Sequence, residues 1–229
     1  MQWYEWRNVR ERLVTFGRAV QGIAPYKVEI QTDGGKCPTA YCDYTHRVIA
    51  VNPSVLPEAL PKEQYTLTRA LLVHEAGHRR FTTPIKAGKL LHQVINILED
   101  QRIEYLMCDS FSGLRHLIAF LAGAFYATSP SLSADDQTPG QVIAALLQIR
   151  WAEHLGLPLK GTLSAKNQAL YERCLPLAKE AWSAPDTETV HTLAQQIIDI
   201  LAMRESLKSI IIGSPISDNS PLILPLISE

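Results

Sequence analysis

The stretch Leu71–Phe81, "LLVHEAGHRRF", puts two histidines and a glutamate into five residues of an otherwise apolar run. His74 and His78 are four apart, so on a helix their imidazoles share one face, one turn apart. Two imidazoles so placed can chelate one ion, and Zn2+ is the usual occupant because it takes nitrogen and oxygen ligands. Glu75 is displaced around the helix from both, where it can take a proton from water instead of binding the metal, as a general base does. Ala76 and Gly77 are small and leave room for a neighbouring element. The competing reading is a helix end with two solvated histidines. The preceding Ala70-Leu71-Leu72-Val73 speaks against it, because burying polar side chains without partners is costly.

A catalytic zinc needs a third protein ligand with one position open. The segment "NILEDQRIE", residues 96–104, supplies candidates at a separation that lets the chain leave the first helix, turn at residues 82–86 and return. Glu99 is the expected third ligand. Asp100 is then expected to orient a histidine through the other ring N–H, and exchange of these two roles stays open. Asn96 and Glu104 are further candidates for supporting the ligands. The bland reading of Glu99 is a helical charge paired with Arg102 or Arg79. His92 is placed toward the same side of the helix. Tyr105, Tyr126, His116 and Arg115 are donors for a developing oxyanion that no spacing singles out.

The elements that must carry these residues follow from periodicity. Trp6, Val9, Leu13, Phe16 and Val20 mark a helix over residues 3–22, which Gly22 ends. "KVEIQT", "AYCDY" and "RVIAV" read as two or three short strands, with "DGG" as a turn. The motif helix runs from about Glu63 to Phe81 and stops at Thr82-Thr83-Pro84. A second runs from about Ala87 to Cys108, and more helices follow near 112–127, 138–155, 165–182 and 187–211. The expected fold is α+β and mostly α: a small N-terminal sheet, the HExxH helix, a glutamate helix and a C-terminal helical bundle. The expected organisation is a core over residues 1–110, a helical subdomain over 111–212 packed on it, and an extended tail over 213–229. Three prolines and two aliphatic clusters in "GSPISDNSPLILPLISE" suit that tail to packing on the body, lying along a sheet edge or occupying the cleft.

Composition bounds the rest. The chain has 229 residues, 46% hydrophobic and 20% charged, with 22 basic against 23 acidic side chains. That is a globular composition, and the balanced charge argues against an electrostatic nucleic-acid binder. No apolar run is long enough to cross a bilayer, and the N-terminus lacks a signal-peptide pattern, so a cytoplasmic protein is expected. Four scattered cysteines suit a reduced chain, with a local Cys37–Cys42 disulfide left open.

"HEAGH" followed by "NILEDQRIE" resembles the gluzincin zinc metallopeptidases, and more narrowly the metallopeptidase domains found with von Willebrand factor A modules and MoxR-type ATPases in bacteria. The match covers roughly residues 63–108. The resemblance implies His74, His78 and Glu99 as zinc ligands, Glu75 as general base and acid, and a peptide or protein substrate. One departure stands out: Ile103 occupies the position, four after Glu99, where many gluzincins carry an aspartate. The function expected is zinc-dependent peptide-bond hydrolysis, with an edge strand, "RVIAV", holding an extended substrate. Two rivals remain. One is a catalytically weak metal-binding module partnering an ATPase or a von Willebrand factor A protein; the other is a zinc hydrolase acting on a non-peptide amide or ester.

Overall fold

The computed structural model describes residues 3–31, 37, 39–53 and 61–202. The expected "DGG" turn and the tail lie outside the described residues. Helix α1 spans Trp3–Gln21 and ends at Gly22, whose φ of 82° is one that glycine adopts freely. The buried Gln21 side chain then closes the turn: its amide donates to the Gly17 carbonyl and its oxygen accepts from the Tyr26 N–H.

Three strands follow: β1 (Lys27–Ile30), β2 (Ala40–Asp43) and β3 (Val48–Val51). Their order is β1-β3-β2, with β1 parallel and β2 antiparallel to β3. The "RVIAV" strand is therefore central, which corrects the expectation that it offers a free edge. Its burial shows why. Ile49, Ala50 and Val51 are all buried, the mark of a strand covered on both faces, whereas β1 and β2 alternate.

Helix α2 (Pro61–Phe81) packs against β2 and β3 on one side and against α1, α3 and α4 on the others. Every residue from Leu71 to His78 is buried, so the helix is enclosed all round along these turns. It stops where Thr82 N–H donates to the His78 carbonyl and Pro84 forbids continuation. Helix α3 (Lys89–Ser110) returns along it. A Cβ added at Gly77 would lie 3.1 Å from Ile103 Cβ and 3.2 Å from Met107 Cγ, so this glycine allows α2 and α3 their close approach.

A short 3-10 turn leads into α4 (Arg115–Thr128), then α5 (Gly140–Leu155), α6 (Ala165–Ala181) and α7 (Thr187–Ala202). Gly156, at φ 64°, terminates α5, and the Ser164 hydroxyl caps α6 by accepting from Asn167 N–H. Among the described residues the chain is thus mostly helical with one small sheet.

Two apolar clusters form the interior. One joins α1, the sheet, α2, α4 and Met107 and Cys108 of α3. The other joins Val94, Ile95 and Leu98 of α3 to α5, α6 and α7. Helix α3 contributes to both. The four cysteines are buried and unpaired with one another, which leaves no Cys37–Cys42 disulfide. Among the described residues, no helix is long and apolar enough to cross a membrane.

Candidate metal centre

Helices α2 and α3 face each other with matching four-residue steps. His74 and His78 stand one turn apart on α2, and Asp100 and Glu104 stand one turn apart on α3. Asp100 Oδ1 lies 3.6 Å from His74 Nε2 and 3.0 Å from His78 Nε2. The three groups are buried, and one donor atom from each lies within 4.8 Å of the others. The two imidazoles meet edge to face, with ring centroids 5.0 Å apart.

The other ring nitrogens are occupied. His74 Nδ1 is 3.2 Å from Glu104 Oε1, and His78 Nδ1 is 3.1 Å from Thr82 Oγ1. A carboxylate only accepts, so His74 carries a proton on Nδ1, and its Nε2 faces Asp100. Neither Nε2 is aligned to hydrogen-bond with Asp100 despite the short separations, and both are buried without another partner. With both Nε2 atoms unprotonated, they and the carboxylate oxygen repel unless a cation lies between them; without a metal, a proton plays that part.

Glu75 adds the fourth element. Its side chain is 0% exposed, and both its oxygens are buried without a hydrogen bond. An orphaned carboxylate of this kind is rare, because the desolvation cost is several kcal/mol in the charged form. Burial pushes its pKa up to about 7, against the downward pull of His78 and His74 and with a small upward push from Asp100. For Asp100 the balance reverses. Burial alone raises it, but the close His74 and His78 bring it down to about 2. Burial disfavours a charged His74, yet Asp100 and Glu104 outweigh this and hold its pKa well above the usual histidine value. In the metal-free chain a proton neutralises the cluster where a metal ion would otherwise do so.

The donor set fits zinc: two imidazole nitrogens and one carboxylate oxygen. Tetrahedral ligands at zinc distances are separated by about 3.3 Å, and the observed 3.6 and 3.0 Å bracket that value.

Glu99 is turned elsewhere. Its Oε1 accepts from Thr82 Oγ1 at 2.6 Å, Thr187 Oγ1 at 3.1 Å and Arg102 Nη2 at 2.7 Å, while Oε2 accepts from Arg102 Nε at 2.8 Å. Both oxygens are thereby engaged by groups other than the histidines. Glu99 is thus a buried ion-pair partner, and the group beside the histidines is Asp100, which the sequence reading had placed behind them. Arg102 is only 1% exposed and also donates to the carbonyls of Phe81 and Ala184.

The remaining candidates fall outside the cluster. Asn96 is half-buried one turn before Asp100, and His92 is half-buried a turn earlier. Tyr126 donates to the Pro158 carbonyl, Tyr105 is exposed beside Arg150, and Arg115 and His116 are exposed at the start of α4. Thr82, Thr187 and Tyr44 escaped the sequence reading. Thr82 had a signal, being one turn beyond His78 on the same face; Thr187, over a hundred residues away, had none. The Tyr44 hydroxyl is buried near Thr82 but outside hydrogen-bonding geometry. Burial, with the charges of Glu75 and Glu99 nearby, keeps it from ionising.

Compared with known proteins, the chain matches no protein-family model, no curated protein and no solved structure.

Proposed function

We propose that the chain is a zinc-dependent hydrolase of peptide bonds, with His74, His78 and Asp100 holding the ion and Glu75 as general base and acid. The carrying observation is the convergence of two unpartnered Nε2 atoms on the Asp100 carboxylate, beside a glutamate whose oxygens are both orphaned. Zinc, when bound, supplies Lewis acidity toward a carbonyl and acidifies water. Glu75 takes a proton from water and returns it to the leaving amine, and both its oxygens are free of other hydrogen bonds for that exchange. The resemblance to gluzincins supports the HExxH half of this reading. Its third ligand transfers to Asp100 rather than Glu99, and α2 and α3 are then the active-site helix and the carboxylate helix.

Substrate binding falls to β2 in this reading. The Asn52 N–H donates to the Thr39 carbonyl, and the antiparallel register alternates from there. Ala40 and Cys42 therefore aim their N–H and C=O away from β3, toward an edge where an extended peptide pairs.

A second reading has one observation in its favour. His74, Glu75 and His78 are each at most 5% exposed, which suits a metal-binding module serving a protein partner, such as an ATPase or a von Willebrand factor A protein. One experiment separates the two: zinc-loaded wild type and Glu75→Gln are assayed on an unfolded protein substrate. Hydrolysis predicts turnover in wild type and a loss of at least about a hundredfold in Glu75→Gln, with zinc retained. Zinc without turnover in wild type favours the binding module.

A further inference from the structure

We propose that Thr82 is a positioning residue for His78, passing its Nδ1 contact on to the Glu99 carboxylate; the proposal rests on the metal-centre reading above. Hydrogen-bond accounting carries it. Glu99 is ion-paired with Arg102 and so accepts only. The Thr82 hydroxyl must spend its one proton on Glu99, at 2.6 Å. Its oxygen then has lone pairs alone to offer His78 Nδ1 at 3.1 Å, so the ring proton sits on Nδ1. That leaves the Nε2 lone pair facing Asp100, the form in which an imidazole binds a metal.

The two histidines are thus held differently. Glu104 reaches His74 directly, whereas His78 is reached through an intervening hydroxyl. The relay is also anchored from outside the α2–α3 pair. Arg102 grips the Phe81 carbonyl just before Thr82, and the Thr187 hydroxyl at the start of α7 donates to Glu99 while accepting from Thr83 N–H. These contacts fix the exit of α2, and with it the Thr82 oxygen.

The test is zinc affinity of the full chain by chelator competition, for wild type, Thr82→Val, Thr82→Ala and Thr82→Ser. Valine keeps the shape and loses the hydroxyl, alanine loses both, and serine keeps the hydroxyl. The expected result is zinc binding weakened about tenfold to a hundredfold in the valine and alanine variants, and restored to near wild type by serine. Wild-type affinity in Thr82→Val, or in Thr82→Ala if the valine variant does not fold, overturns the relay and leaves the metal centre standing. A serine variant as weak as valine also overturns it, because packing would then be the cause. A wild type that takes up no zinc overturns the relay and the metal-centre reading together.

Discussion

Glu75 carries a pH signature that belongs to one side chain. Burial holds its pKa at about 7 in the folded chain, against an ordinary value of 4.5. Below pH 4.5 the carboxyl is protonated folded or unfolded and costs nothing. As pH rises the unfolded chain loses this proton first, so folding stability falls between about pH 4.5 and 7 and then levels off. The full effect is about 3 kcal/mol on the conversion of 1.36 kcal/mol per pKa unit. In the metal-free protein, Glu75→Gln escapes this cost. Denaturant unfolding should find the variant more stable than wild type by about 3 kcal/mol at pH 8 and nearly equal at pH 5. An equal gap at both values would mean that ionisation of Glu75 is not the cause. The sequence made the HExxH residues legible because their spacing alone puts both histidines on one face. It did not decide between Glu99 and Asp100, since adjacent helical residues differ by a rotation that only the packing of α3 sets. Arg102, three positions after Glu99, was the available hint, but the bond from Thr187 exists only in the folded chain.

Two helices and an edge strand make up the next scale, and the seam between α2 and α3 is its tightest part. Ile103 Cβ is fixed to the α3 backbone, so a side chain at position 77 must push the helices apart. Gly77→Val should cost about 1–3 kcal/mol through overpacking and should weaken zinc binding by separating Asp100 from the histidines. Thermal unfolding and zinc affinity, measured on the same samples, check both parts; unchanged values would show that the seam can yield. The small residues of "HEAGH" pointed to this approach. The order of the strands was readable less directly. The unbroken apolar "VIAV" marks a central strand, whereas the alternation of β2 shows only in its folded burial.

Across the whole molecule, α3 is the element that joins everything. Its buried polar residues point outward in turn: Asp100 and Glu104 to the α2 histidines, Glu99 to Thr82 and Thr187, and Gln101 to the Leu146 carbonyl and the Trp182 indole N–H. Glu99, Gln101 and Glu104 can be buried because each has a hydrogen-bond partner, drawn from α2, α5, α7 and Trp182. The helix count and the helical class followed from periodicity. The long-range anchoring of α3 did not, because contacts such as Arg102 with Ala184 connect segments that no local pattern relates. The proposed function stands on a zinc ion held by His74, His78 and Asp100. Elemental analysis of purified wild type beside Asp100→Ala tests it most directly. About one zinc per chain is expected in wild type, as a single three-ligand centre holds, and almost none in the variant. Zinc retained in full by Asp100→Ala, or absent from wild type after reconstitution, would contradict it.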